Sequence, residues 1–117
     1  MFDSKKILII DDETDLCLLL KKYFLRKNYE VVVSHSLKEG EFLLNKIHPD
    51  ILFLDNNLPD GTGWDLSPAI AAHFPATYIV LTSAFNPIVP VMPVNSRFRV
   101  LEKPFSMADL DQQFVGI

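Results

Sequence analysis

The chain has 117 residues, 49% of them hydrophobic, enough for one globular domain with its own core and too little for two. A formal net charge of -4, with no block of lysine and arginine, argues against a nucleic-acid surface, because phosphate binding needs clustered positive charge. Cys17 is the only cysteine, so no internal disulfide can form; with no signal-peptide pattern and no apolar run of membrane-spanning length, a reducing, cytoplasmic setting is expected.

The first apolar run, Ile7 to Ile10, reads as a strand and ends in Asp11-Asp12. From Thr14 to Lys27, Leu16, Leu19, Leu20, Tyr23 and Phe24 recur at i, i+3 and i+4, the spacing of an amphipathic helix. Leu18 and Leu25 leave that stripe and predict a small apolar outer face, while Cys17 sits one residue off it as a partly buried hydrophobe. Glu30 to Ser34 is short and β-branched, a second strand. Ser36 and Glu39, three apart, predict a capping box for a helix reaching about Ile47, where His48-Pro49-Asp50 stops it. Ile51 to Leu54 has no polar alternation and therefore reads as a central strand covered on both faces.

Asn56 to Gly63 is rich in Asn, Pro, Asp and Gly and predicts a loop in which Gly61 and Gly63 serve a turn, since no Lys-Ser/Thr follows to make a phosphate cradle. A helix then runs to Phe74, with Pro68 either inside its first turns or at its first position after a Ser67 cap. Trp64 reads as packing. Thr77 to Leu81 is a fourth strand and Phe98 to Leu101 a fifth, followed by a helix from Met107 to Val115 capped by Ser106 with Asp109 three residues on. Between these strands Pro87, Pro90 and Pro93 recur every three residues; each interior proline costs a helix about 3 kcal/mol, so no regular helix of more than one turn is expected between Ser83 and Arg97. Such β-α alternation implies a parallel sheet with helices on both faces.

In that architecture ligands bind at the carboxyl ends of the strands, where Asp11, Asp12, Asp55, Thr82 and Lys103 all fall. Each of these residues has an ordinary structural explanation when taken alone; together at one sheet edge they call for a functional one. Crowded carboxylates about 5 Å apart repel by roughly 3 kcal/mol at an effective dielectric of 20, and a hard divalent cation is the usual remedy. Magnesium keeps several waters and takes only one or two protein carboxylates, which Asp12 and Asp55, with Asp11 behind them, can supply. If Asp55 is a nucleophile, Lys103 can pair with phosphoryl oxygens and Thr82 can donate a hydrogen bond, sufficient equipment for phosphoryl transfer without a separate base. His35, His48 and His73 lie far apart in this map, without ligand spacing, and receive no role.

At these positions the chain resembles the receiver domain of two-component response regulators. The resemblance rests on Asp11-Asp12-Glu13, on Asp55 with Leu58-Pro59-Asp60-Gly61, on Thr82, and on Lys103-Pro104-Phe105, in that order at successive strand ends, and it spans residues 1–117 as one domain. It implies an α/β flavodoxin-like, doubly wound five-stranded parallel sheet of order 2-1-3-4-5. It further implies Asp55 as phospho-acceptor, Asp11 and Asp12 as the acidic pair with Asp12 a direct Mg2+ ligand, the Asn57 backbone carbonyl as a further ligand, and Thr82 and Lys103 as phosphoryl-binding groups. The implied partners are a histidine kinase or histidine phosphotransfer protein and an output protein, with neither nucleic acid nor membrane.

Two departures bear on output. Val100 stands three before Lys103, where the family usually carries a Tyr or Phe that swings inward, and the proline-rich stretch replaces its fourth helix. A monomer or weak dimer is expected, since the fourth-helix face is lost. A rival reading is a receiver-fold interaction module whose output does not depend on phosphorylation. A metal-dependent phosphohydrolase would need a substrate pocket and a second acid that the sequence does not offer.

Overall fold

A computed structural model describes residues 4–85 and 88–114; Asn86 and Pro87 of the proline-rich stretch, and Val115 at the expected end of the last helix, lie outside the described residues. Five strands form one parallel sheet: β1 (Lys6–Ile10), β2 (Glu30–Ser34), β3 (Ile51–Asp55), β6 (Tyr78–Ser83) and β7 (Phe98–Glu102). Their spatial order is β2-β1-β3-β6-β7, which is 2-1-3-4-5 among the sheet's own strands. β4 (Asn57–Leu58) and β5 (Gly61–Thr62) form a separate antiparallel pair inside the expected loop. No described helix is long and apolar enough to cross a membrane.

Side chains of a strand alternate between faces, and the unbroken apolar runs therefore feed two cores. Ile7, Ile9, Phe53 and Val80 pack on one face with Phe24 of α1 (Thr14–Arg26) and Leu110 of α4 (Met107–Gln113). Leu8, Ile10, Leu52, Leu54 and Leu81 pack on the other with Leu44 of α2 (Leu37–Ile47) and Ile70 of α3 (Ser67–His73). Phe24 centres the first core, its ring edge-on to Tyr29, Phe53 and Phe114 at centroid distances of 5.2, 5.8 and 5.6 Å. Truncating such a residue to Ala costs about 3–5 kcal/mol.

Helix starts show where local patterns compete. Ser36 caps α2 by accepting from the Glu39 N–H, but the reciprocal half of the expected box is absent because the Ser36 N–H donates to Ser34 Oγ. Asp60, reaching over from the β4–β5 turn, accepts from the Leu37 and Lys38 N–H groups at 2.7 and 2.9 Å and completes the cap. The reciprocal box is present at α4, between Ser106 and Asp109. A 3-10 turn over Gly63–Leu66 leads into α3, so Ser67 is helical rather than a cap; its hydroxyl donates to the Trp64 carbonyl, and Pro68 sits in the first turn. β6 runs to Ser83, two residues past the expected end, and places Thr82 in register with Asp55.

Between β6 and β7 the described residues contain no helix, as the prolines predict. Met92 packs against the second core with its sulfur 3.6 Å from Ser67 Oγ, while Ile88, Val91 and Val94 lie in solvent. With no helix over it, Val100 of β7 is 43% exposed.

Candidate functional site

The carboxyl ends of β1, β3 and β6 and the turn after β7 meet at one edge of the sheet. Asp11 leaves β1 still paired, its N–H on the Ser34 carbonyl. Its own carbonyl takes the Cys17 thiol at 3.4 Å and stands 2.9 Å from His35 Nδ1, and its Oδ1 accepts from the Glu13 N–H at 2.8 Å. The buried carboxylate is thereby held from backbone and side chain. Asp55 ends β3 with 3% exposure, and buried Thr82 is its lateral neighbour.

Carboxylate oxygens of Asp11, Asp12 and Asp55 lie within 4.8 Å of one another. Asp11 and Asp55 are buried and Asp12 faces solvent, so the cluster has one wet side. The Lys103 main chain is fixed by its N–H on the Ser83 carbonyl, and its Nζ lies 2.9 Å from Asp11, 3.0 Å from Glu13 and 3.1 Å from Asp55. A cation already occupies the space between the carboxylates. Hard oxygen donors with one member open to water suit a magnesium ion that retains part of its hydration. The Asn57 residue, whose carbonyl is the expected further ligand, is exposed in β4 two positions after Asp55.

Burial and then the negative charge of Asp11 push the Asp55 carboxyl up to about 6 against the pull of Lys103. Burial likewise raises Asp11, opposed by its Glu13 N–H bond and by Lys103. For Lys103, burial lowers the pKa, but the hydrogen bonds and charges of Asp11, Glu13 and Asp55 outweigh it and the ammonium is held above its usual range. Cys17 is buried at 5% exposure, and burial pushes its thiol up to about 12, which makes it an inert structural group.

Asp11, Asp12, Asp55 and Lys103 gather at this edge with Thr82 beside Asp55, and several residues without a sequence signal shape it. The Trp64 indole N–H donates to the Leu54 and Thr82 carbonyls at 3.3 and 3.2 Å and ties the ends of β3 and β6 together. Gly63 is needed because a Cβ there would stand 2.1 Å from the Asp55 carbonyl oxygen. Glu13 is a third partner of Lys103. His35 follows β2, whose end neighbours Asp11, so the strand order alone could have pointed to it. His48 and His73 are not far apart: both line a groove between α2 and α3 with Glu41 and Phe74.

The family model for the response regulator receiver domain matches residues 7–114. The chain is 33% identical over 82 residues to the response regulator protein PilR of Pseudomonas aeruginosa, covering 70% of this chain and 18% of that protein. It is 29% identical over 102 residues to the transcriptional regulatory protein YxdJ of Bacillus subtilis, covering 86% of this chain and 44% of that one. It thus spans less than half the length of either relative. Among solved structures, a CheY-like receiver domain protein from Methanospirillum hungatei superposes with a TM-score of 0.82 at 23% identity, covering 95% of this chain and 90% of that one. The chemotaxis response regulator CheY4 of Vibrio cholerae gives 0.77 at 21% identity, with 95% and 96% covered.

Proposed function

The chain belongs to the response regulator receiver family, and on that premise we propose that it is the phosphoryl-accepting switch of a two-component phosphorelay, with Asp55 as acceptor. The observation that carries this reading is Lys103: its ammonium bridges Asp11 and Asp55 at 2.9 and 3.1 Å, where an incoming phosphoryl group needs a cation. An Asp55 carboxylate oxygen attacks the phosphorus of a phosphohistidine on a kinase or phosphotransfer protein. The new P–O bond forms as the P–N bond breaks, and the imidazole leaves with its electron pair. Lys103 neutralises charge on the transferred group, and Thr82, beside Asp55 in register, offers it a hydroxyl.

Asp11, Asp12, Asp55 and the Asn57 carbonyl would hold Mg2+, which supplies charge neutralisation between the carboxylates and the phosphoryl oxygens. The domain, taken as residues 1–117, acts in the cytoplasm and passes its state on through binding to an output protein, as a switch rather than a hydrolase of outside substrates. Intact-mass measurement after acetyl phosphate and magnesium treatment tests the assignment. One phosphoryl adduct is expected, lost in Asp55→Asn; label persisting in that variant, or mapped to Asp11 or Asp12, overturns it.

A second reading is favoured by Val100, exposed where an inward-moving aromatic is usual, and by the helix-free stretch beside it. On that reading the domain is an interaction module whose output surface is indifferent to phosphorylation.

A further inference from the structure

We propose that Glu13 is a positioning residue for Lys103, holding the ammonium within the resting carboxylate cluster and limiting how many of its donors reach a phosphoryl group on Asp55. The inference rests on the reading of Asp55 as acceptor.

An ammonium has three N–H donors. Nζ of Lys103 has three carboxylate partners, Asp11, Glu13 and Asp55, at 2.9, 3.0 and 3.1 Å. Glu13 accepts a hydrogen bond from the ammonium, and Asp11 and Asp55 stand at ion-pair distance, so three carboxylates share the three donors in the resting protein. When the Asp55 oxygen is replaced by an oxygen of its phosphoryl group, one donor transfers with it while Asp11 and Glu13 keep the other two. Releasing Glu13 frees a second donor for the phosphoryl oxygens and removes a carboxylate that repels them.

Glu13 is the partner that can act this way. Asp11 is buried and tied through Oδ1 to the Glu13 N–H, whereas the Glu13 side chain is 57% exposed. Glu13 precedes α1 at the N-cap position yet makes no side-chain cap hydrogen bond, so local helix structure does not account for it. Its place at the wet side of the cluster, 90 residues in sequence from Lys103, gives it a hold on the ammonium without burying a further charge.

The test is beryllofluoride binding, a phosphoryl mimic, at saturating magnesium, read from Trp64 fluorescence because the indole hydrogen-bonds the Thr82 carbonyl. Glu13→Gln is expected to tighten binding roughly two- to fivefold, the scale of a half-exposed ion pair. In a Lys103→Met background the same change is expected to do much less, since there it acts through charge alone. Equal tightening in both backgrounds, or none in the parent, overturns the positioning role. Should Lys103→Met fail to fold, Glu13→Asp decides: it keeps the charge but withdraws the carboxylate by one methylene, so tightening supports positioning and its absence overturns it. A parent that binds no beryllofluoride, as judged also by fluorine NMR, overturns the acceptor reading itself, an outcome distinct from a parent that binds but ignores Glu13.

Discussion

Gly63 approaches Asp55 so closely that a Cβ on it would sit 2.1 Å from the Asp55 carbonyl oxygen and 2.9 Å from Leu54 Cδ1. The contact is with main chain at the end of a central strand, which cannot move without carrying the Asp55 carboxylate along. Gly63→Ala is therefore expected to cost about 1–3 kcal/mol, as overpacked sites do. It is also expected to slow Asp55 labelling by roughly tenfold or more, because small displacements of reacting groups are expensive. Gly40 is crowded in a different way: an added Cβ there meets the buried Ile10 side chain, Cδ1 at 2.5 Å and Cγ1 at 2.8 Å, so Gly40→Ala is expected to cost stability too, but through side-chain packing rather than the Asp55 main chain. Denaturant melts and labelling time courses of Gly63→Ala and the parent decide this, and a Gly63→Ala protein as stable and as reactive as the parent would refute the claim.

The cluster should make metal-free stability depend on pH in an unusual direction. Asp55 in the folded protein titrates at about 6, above its reference value of 3.8, chiefly through burial and then Asp11. Between those values the folded state binds more protons than the unfolded one, so its stabilising proton is present at low pH and lost as pH rises. Apo stability is expected to fall between about pH 4 and pH 6, by at most about 3 kcal/mol at roughly 1.4 kcal/mol per unit. Asp11, also raised by burial, adds in the same direction. Asp60 opposes: its carboxyl is held low by the Leu37 and Lys38 N–H groups, so its contribution is present above the unfolded value and is lost only in more acid solution. Urea melts of the apo protein from pH 4 to 7 check this; stability rising steadily across that range would contradict it.

Magnesium should reverse the effect through the same residues. Asp12 is the exposed member of the cluster, so Asp12→Ala relieves little repulsion and is expected to raise apo stability by about 1 kcal/mol or less. It is expected to remove most of the stabilisation that magnesium gives the parent, about 2.7 kcal/mol at a hundredfold excess over Kd. Thermal melts with and without the ion test both halves. An Asp12→Ala protein less stable than the apo parent, or one stabilised by magnesium as much as the parent, would sink the argument.

The parts of the fold that were legible are those written in contiguous residues. Apolar runs ending in Asp11 and Asp55 announce buried strands and the edge where their acids emerge, and three prolines announce a missing helix. Contacts made by side chains to groups distant in sequence are not legible there. Trp64 looked like packing because its partners are the carbonyls of Leu54 and Thr82, which carry no side-chain signature. Ser36 and Glu39 matched a capping box, yet Ser34 and Asp60 supply the competing partners, Asp60 from across the fold. Glu13 read as part of a motif, and its bond to Lys103 becomes visible only when the strand order brings the two together.

The β6–β7 connection joins the site edge to an exposed apolar stretch and is the place to look for output. Phe85 is exposed with its N–H on Ser83 Oγ, and the Ser83 carbonyl receives the Lys103 N–H, so the start of this connection is tied to the main chain of Lys103, the proposed partner of a phosphoryl group. Farther on, Met92 seated against Ser67 is an anchoring contact, while Ile88, Val91 and Val94 are exposed. Val100 cannot report the site by an aromatic swing. Activation should therefore be read in the loops around Asp55, Thr82 and Lys103 and along Ile88 to Met92. Amide hydrogen exchange with and without beryllofluoride is expected to show no helical protection over Ile88 to Val94 in the resting protein, and at least a severalfold change at Ala84 and Phe85 on activation. Strong resting protection over that stretch would contradict the helix-free connection, and unchanged exchange at every loop would favour the phosphorylation-indifferent interaction module.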